Sequence, residues 1–215
     1  MDAVVRSIVR PVSRLVTRGS IAPAPPGPPA FSSFLWNQAD AGPGMLASNG
    51  GFDVSRTTSG MSWVSIRGDV FKAAGIFQAS YKILSQNNVN GFIIGFGRSY
   101  SPLGDGASSH GYPGMGLDSI GFRPLDGGYF SGFGGGFVGY TATVGDIVSL
   151  AQDTTNGLTF VKVNNSAWVQ IAFLNTFTGS QAPMFGSYDS DNLIRTVDPV
   201  AESITLYPGA SVWAP

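Results

Sequence analysis

The chain has 215 residues, enough for one sizeable β domain with a short additional segment. Charged residues make up only 12% and apolar residues 43%, with 30 glycines and 14 prolines, which favours buried strands joined by tight turns over a disordered charged chain. The net charge of -1 provides no general attraction to nucleic acid or membrane, and the absence of cysteine excludes disulfides, thiolate zinc sites and cysteine nucleophiles. Because no apolar run is long enough for a signal peptide or a bilayer span, we expect neither.

Residues 1–20 are predicted to form a basic amphipathic arm. This segment has a net charge of +3, whereas the remainder of the chain has -4. Pro11 disfavours one continuous helix, so we expect the arm to order only against a partner. A flexible terminus and a membrane-surface helix are the alternatives to docking on a protein shell. The expected docking residues recur every fourth position and share one helical face, opposite a stripe of Val, Ile and Leu: Arg6, Arg10, Arg14 and Arg18.

Residues 21–30, IAPAPPGPPA, predict a Pro-rich linker, since such a run favours extended polyproline II and acts as a semi-rigid spacer. Residues 31–215 predict an all-β sandwich domain, because short runs of β-branched and aromatic residues alternate with Gly, Asn, Asp and Pro clusters. The spacing of these runs is typical of a jelly roll. Strands are predicted in MSWVSIRG, AAGIFQASYKIL, GFIIGFGR, IGFRPL, GYFSGFG, DIVSLAQD, LTFVKV, AWVQIAFL, APMFGSY and ESITLYP.

The clearest hairpin lies between residues 146 and 163. Alternate residues of 147–152 and of 158–163 are expected to point to opposite faces of a sheet. Between the two strands, Asn156-Gly157 is the dipeptide that a type I′ hairpin turn prefers, so we predict that turn here.

This hairpin, GDIVSLAQDTTNGLTFVKVNNSAW, resembles the signature hairpin of SPRY domains, with a Gly-Asp, an apolar strand, an Asp, an Asn-Gly turn, an LTF strand and an Asn-rich turn. Upstream, GIFQASYKIL, NGFIIGFGR and IGFRPLDGGYFSGFG are similar to the strands that precede it in the family, and APMFGSY to a later one. The similarity covers about residues 60–190. It implies a concanavalin A-like sandwich of two bent antiparallel sheets, and a binding module whose loops select the partner, without catalytic residues.

The residues themselves also argue against an enzyme. His110 is the only histidine, and a triad with Asp105 and Ser108 or Ser109 would need sequence neighbours to converge from separate elements. Glu202 is the only glutamate, so the paired carboxylates of a glycosidase are not evident. We expect no catalytic residue, no metal and no cofactor. Two Asp- and Asn-rich turns offer oxygen ligands for calcium, but turn formation explains them more simply: Asp153 with Asn156, and Asp189 with Asp191 and Asn192.

The least strand-like part of the domain runs from residue 97 to residue 121, and a loop of this length in a compact domain is often functional. Its aromatic, cationic and acidic side chains suit a sugar, whose faces stack on rings, or a protein interface; a merely connecting loop is the alternative. The predicted ligand- or partner-binding residues are Arg98, Tyr100, Asp105, His110 and Tyr112.

A basic arm, a stiff spacer and a sandwich with few charges together favour a structural protein of a virion. By analogy of layout, we expect a bacteriophage head or tail fibre, spike or decoration subunit, homo-oligomeric and assembled in the host cytoplasm. The arm would dock on the particle, and the sandwich would bind a host-surface glycan or a neighbouring subunit, without contacting nucleic acid or membrane. The alternatives are a cellular SPRY-like interaction adaptor, a secreted lectin and a carbohydrate-active enzyme.

Overall fold

The computed structural model describes residues 33–58, 62–87, 91–104, 111–115, 118–132, 134–172 and 178–215. The predicted arm and linker lie outside the described residues, as do Asp105 and His110 of the predicted binding loop. The described part holds a 3₁₀ turn at Asn49–Gly51 and fifteen strands: β1 Trp36–Ala41, β2 Met45–Ser48, β3 Asp53–Arg56, β4 Val64–Gly68, β5 Ile76–Ser85, β6 Phe92–Gly97, β7 Ser119–Arg123, β8 Gly128–Ser131, β9 Gly134–Phe137, β10 Ile147–Asp153, β11 Leu158–Val163, β12 Val169–Ala172, β13 Ala182–Ser187, β14 Leu193–Thr196 and β15 Ser211–Val212.

The strands form two sheets that enclose one hydrophobic core, which confirms the predicted all-β antiparallel sandwich. Sheet A has the order β1-β4-β13-β6-β7-β8-β9, and sheet B has the order β12-β11-β10-β5-β14-β3-β2. The short strand β15 pairs in parallel with the start of β5, beside β14. Nowhere in the described ranges is there a helix with the length and apolarity to cross a bilayer.

The core is built by alternation along the strands. In β6, for example, Phe92, Ile94 and Phe96 are fully buried between the sheets, so the residues between them occupy the outer face. Trp213 closes the core from the C-terminal end of the chain: it is 0% exposed, its ring stacks on Phe96 at 4.8 Å, and its indole N–H donates to the Val70 carbonyl at 3.0 Å.

The β10–β11 hairpin has the predicted alternation, with cross-strand pairs from Val148–Val163 to Asp153–Leu158. The predicted type I′ turn is wrong. Four residues, 154–157, connect the strands, and only Gly157 among them has a positive φ, of 72°. The cause is the Asp153 carboxylate, one oxygen of which accepts the backbone N–H groups of Thr155 and Asn156 at 3.0 and 2.9 Å and holds the longer loop.

The strand predicted in ESITLYP, residues 202–208, is also wrong. This segment belongs to the C-terminal cover, residues 197–213, which crosses the outer face of sheet B. Tyr207 stacks on Phe160 of β11 at 4.4 Å. Three further apolar residues of cover and sheet form a small buried cluster: Ile147, Val197 and Ile204. The alternating apolar residues of the segment therefore cover a sheet face instead of entering a ladder.

Candidate functional site

The outer face of sheet A has a floor of glycines. Gly121 of β7 and Gly186 of β13 alternate with core residues and so occupy outward positions. A Cβ at Gly121 would lie 2.2 Å from the Pro113 carbonyl oxygen, and one at Gly186 would lie 2.7 Å from Pro113 Cδ. The chain around Pro113 therefore lies directly on the sheet, and it can do so because these two positions have no side chain.

The segment on this floor is the A cover, defined as described residues 98–104 and 111–115, and buried polar groups hold it. The guanidinium of Arg67, 5% exposed, donates to the carbonyls of Arg98 at 3.0 Å and Ser101 at 2.6 Å, while the Asp40 carboxylate neutralises its charge at 2.6 Å. Ser65 donates its backbone N–H to Leu103 at 2.8 Å and its hydroxyl to the Gly111 carbonyl. Hydrogen bonds from β4 thus hold both described parts of the A cover.

Four half-buried rings form a continuous row over this face, here called the aromatic platform. Trp63 lies between Tyr188 and Tyr112, with ring centroids 5.8 and 5.0 Å away, and Tyr112 meets Phe130 edge-on at 6.0 Å. Tyr112 from the A cover bridges rings on either side of the glycine floor, since Trp63 precedes β4 and Phe130 belongs to β8. Partial burial raises the pKa of the Tyr112 hydroxyl, which keeps it protonated as a hydrogen-bond donor.

Two arginines position and charge the platform. Arg56 is buried beneath it, and its guanidinium donates to the carbonyls of Ser62 at 2.6 Å and Tyr188 at 2.5 Å, which fixes the backbone at two of the rings. Arg123 lies over the Phe130 ring at 5.2 Å and pairs with the Asp126 carboxylate. That hydrogen-bonded pairing raises the pKa of Arg123 and lowers the pKa of Asp126, so both stay charged at the platform's edge.

The structure divides the predicted binding residues between the two ends of sheet A. Arg98 and Tyr100 lie together after the last residue of β6, with an Arg98 Nη1 to Tyr100 hydroxyl distance of 2.5 Å. Arg98 also pairs with Asp118 at 3.6 Å, and Tyr100 is 61% exposed. Tyr112 belongs to the platform, near the opposite end, where Ser187 pairs with the first residue of β6. The predicted binding residues that the structure describes therefore do not form a single cluster.

The platform's other members were not predicted as site residues. Trp63 lies within a segment predicted as a strand, directly before the buried Val64, and this alternation is a signal for a large ring on the solvent face. The sequence contains no comparable signal for the meeting of Trp63, Phe130 and Tyr188, because they come from distant elements. Their proximity depends on the strand order β4-β13-β6-β7-β8.

The turns considered for calcium have structural roles. The Asn192 side chain donates to the carbonyl of Gly91 at 2.8 Å and to the hydroxyl of Ser187 at 2.9 Å, and it accepts the Asn87 N–H at 2.7 Å. It thereby ties three segments together next to Tyr188. Among the described residues, no three Asp, Glu or His side chains come together in an arrangement able to hold a metal ion.

Comparisons with known proteins support the fold and not a family assignment. No protein-family model matches the chain, and no curated protein sequence matches it. Among solved structures, the SPRY domain of human HERC1 aligns with a TM-score of 0.62 at 17% identity, over 76% of this chain and 97% of that one. The PSpry domain of TRIM65 aligns with a TM-score of 0.61 at 11% identity, over 82% of this chain and 100% of its own. A human SPRY domain gives 0.52 at 15% identity, over 72% and 94%.

The described part of this chain has the SPRY fold. The two antiparallel sheets, the β10–β11 hairpin and the near-complete coverage of the two SPRY domains with the higher scores agree with the resemblance seen in the hairpin sequence. Folds of this kind host different functions, so a function has to be argued from the site.

Proposed function

We propose that this chain is a non-enzymatic binding module of a larger assembly, and that its sandwich binds a partner through the aromatic platform. The observation that carries the proposal is the row of four half-exposed rings from Tyr188 to Phe130, supported from below by Arg56 and bordered by Arg123. Tyrosine, tryptophan and arginine are the residues that dominate binding energy at protein interfaces. Rigid backing means that little side-chain entropy is lost when a partner binds.

The assembly we propose is a bacteriophage particle, in which the chain is a fibre, spike or decoration subunit. Its support is the layout of the sequence: a basic arm at residues 1–20, a Pro-rich linker at 21–30 and a domain with few charges. In this proposal the arm docks on the particle, copies associate with one another, and the platform contacts a host-surface glycan or a neighbouring subunit. Flat aromatic rings serve both ligands, because they stack on sugar faces as well as on protein side chains.

The test compares Trp63→Ala and Tyr112→Ala with Tyr100→Ala, in which an exposed ring is removed from the other end of the same sheet. The full chain is incorporated into its native particle and photo-crosslinked from the exposed position 191, near the platform ring of Tyr188, and the purified chain is applied to a glycan array. We expect the crosslink or the glycan signal to fall by about tenfold or more in the platform variants and to persist in Tyr100→Ala. Equal loss in all three variants, or hydrolysis of a polysaccharide by the chain, would contradict the proposal.

A second candidate function is a cellular protein-interaction adaptor, which is favoured by the alignment with the SPRY domains of HERC1 and TRIM65. The platform would then bind one soluble protein, and the arm would have no particle to dock on. The same crosslinking separates the two functions, because an adaptor gives one crosslinked protein in the absence of any particle.

A further inference from the structure

In the described part of the chain, the two sheets end at β1 and β9 in sheet A and at β2 and β12 in sheet B, and the two-residue β15 is a further short edge of sheet B. An edge strand presents unpaired N–H and C=O groups that can pair with another chain, so natural proteins usually protect it. At β2, the Gln38 side-chain amide does this: it donates to the Met45 carbonyl at 3.0 Å and accepts the Ala47 N–H at 2.7 Å. At β1, the Asn37 side chain accepts the Ala39 N–H at 3.1 Å, and the pairing with β4 is bulged.

The edge of β9 has none of these protections among the described residues. Its sequence, Gly134–Phe137, contains no charge and no proline, and Phe137 is 74% exposed. Val138 donates its N–H to the Gly127 carbonyl of the neighbouring turn at 3.1 Å, and this bond determines which residues of β9 direct their backbone groups toward β8. Antiparallel pairs alternate, so the backbone groups of Gly135 and Phe137 point away from β8. No described residue bonds these outward groups.

We infer that β9 is the interface through which two copies of this chain associate, edge to edge and antiparallel, so that their A sheets become one continuous sheet. The two-fold axis passes beside Gly136, and Gly135 of one copy faces Phe137 of the other. In this register each facing pair exchanges two backbone hydrogen bonds. The strands meet most closely at the axis, where residues that do not exchange hydrogen bonds lie about 4.5 Å apart, and glycine permits that approach.

The strand complements itself, and this is why the occupant is a second copy. Phe137 and Gly135 share the outer face of sheet A with Phe130, since Gly135 pairs with Phe130 across the ladder. In the proposed register the exposed Phe137 ring of one copy fills the space above the bare Gly135 of the other, twice by symmetry. A strand of three glycines has no side-chain pockets to select a foreign sequence, and the absence of charge removes any repulsion between copies.

On its inner face the strand is already stiffened within one copy. A Cβ at Gly136 would lie 2.8 Å from the Tyr129 ring, so that ring lies across the glycine and covers it. The edge is therefore shaped before association. This interface is the one for the homo-oligomer proposed above. It borders the aromatic platform at Phe130 but does not use Trp63, Tyr112 or Tyr188, so either can fail without the other.

The test measures self-association of the full chain by sedimentation velocity across a concentration series. Phe137→Pro removes an outward N–H and the ring, but no hydrogen bond to β8, because that N–H does not point toward β8. We expect it to weaken dimerisation by about thirtyfold or more, since two symmetric hydrogen bonds and both ring contacts are lost. Phe137→Thr, the matched control, keeps the N–H and should weaken dimerisation less.

Hydrogen exchange identifies the register. In the wild-type chain, the amides of Gly135 and Phe137 should become protected as concentration rises, while those of Gly136 and Val138 are protected at every concentration. In Phe137→Pro, continued protection of Gly136 and Val138 shows that the β8–β9 ladder is intact. A chain that stays monomeric throughout, or a dimer that is unaffected by Phe137→Pro, would overturn the inference, whatever the platform variants do in the binding assay.

Discussion

Sheet A and sheet B each have a segment lying across the outer face, but different contacts hold the two segments. The C-terminal cover on sheet B is held by apolar packing, with Tyr207 on Phe160, a buried cluster around Ile204, and Trp213 inserted into the core. The A cover is held by Arg67, Ser65 and a floor of glycines. The first segment thus adds an apolar layer to its sheet and one ring to the core, whereas the second is a polar layer that rests on the sheet.

This difference shows in how the rings of the two covers are used. In the C-terminal cover, Trp213 is fully buried in the core and the half-buried Tyr207 stacks on Phe160, so both rings stabilise the attachment of the cover. The A cover approaches its sheet through backbone and glycine, so Tyr112 does not have to fill a cavity and stays half-exposed beside Trp63. A cover attached by polar contacts therefore leaves aromatic surface available to a partner.

The largest effect on stability is expected when Trp213, the anchor of the C-terminal cover, is removed. Trp213→Ala should lower the free energy of unfolding by about 4 kcal/mol, because a fully buried indole and its hydrogen bond to Val70 are lost. Trp168→Ala is the matched control: Trp168 is half-buried and touches Tyr207 edge-on, so about 1 kcal/mol is expected. Denaturant titration measures both. Equal losses of unfolding free energy in the two variants would show that burial of Trp213 contributes no more to stability than a surface contact.

A smaller effect is expected beneath the A cover. Gly121→Ala places a methyl group against the Pro113 carbonyl, which should cost about 2 kcal/mol and loosen the loop. Limited proteolysis should then cut within residues 98–118 faster than in the wild-type chain, while the circular dichroism spectrum of the sheets persists.

Gly128→Ala is the control for Gly121→Ala, since its nearest contact is the tip of the Asp126 side chain at 3.0 Å, which can move aside. If both variants are cut at the wild-type rate, the glycine floor does not determine how the loop is held.

The smallest expected effect concerns a cation under the C-terminal cover. Lys162 is 1% exposed, lies 4.9 Å from the Trp168 ring and donates to the Thr205 carbonyl, and burial lowers its pKa. Because the folded chain binds this proton less tightly than the unfolded chain, stability should rise with pH as Lys162 deprotonates in the folded state, until the normal lysine pKa is reached. Lys162→Met should therefore stabilise the protein at neutral pH by about 1 kcal/mol.

The same substitution should remove that alkaline gain in stability. Lys82→Met is its control: Lys82 lies on the same face, but it is partly exposed and paired with Glu202 at 3.5 Å, so its removal relieves no buried charge. Thermal unfolding from neutral to alkaline pH separates the two variants. An unchanged pH profile in Lys162→Met would show that the cation is not constrained by the cover.

How well a feature of this protein can be predicted from its sequence depends on how far apart in the chain the contacting residues lie. Strand alternation is local, so β10 and β11 and the sandwich class were predicted correctly. The turn between them was not, because one carboxylate, that of Asp153, outweighs the preference of Asn156-Gly157. Short strands such as β2 and β14 were not predicted, since four residues are too few to show an alternation and cross-strand pairing defines these strands. Of the predicted site residues, Tyr112 lies in the platform, but its neighbouring rings depend on the strand order.

The stacking of Trp213 on Phe96 also affects how the protein can be made. The two rings are far apart in the chain, and Trp213 comes after all the described strands of both sheets in the sequence. A nascent chain therefore cannot complete its interior until residue 213 has been translated and has left the ribosome. Until then its apolar strands remain open to water and to one another, so the domain can complete its fold only late, once all of its strands are present.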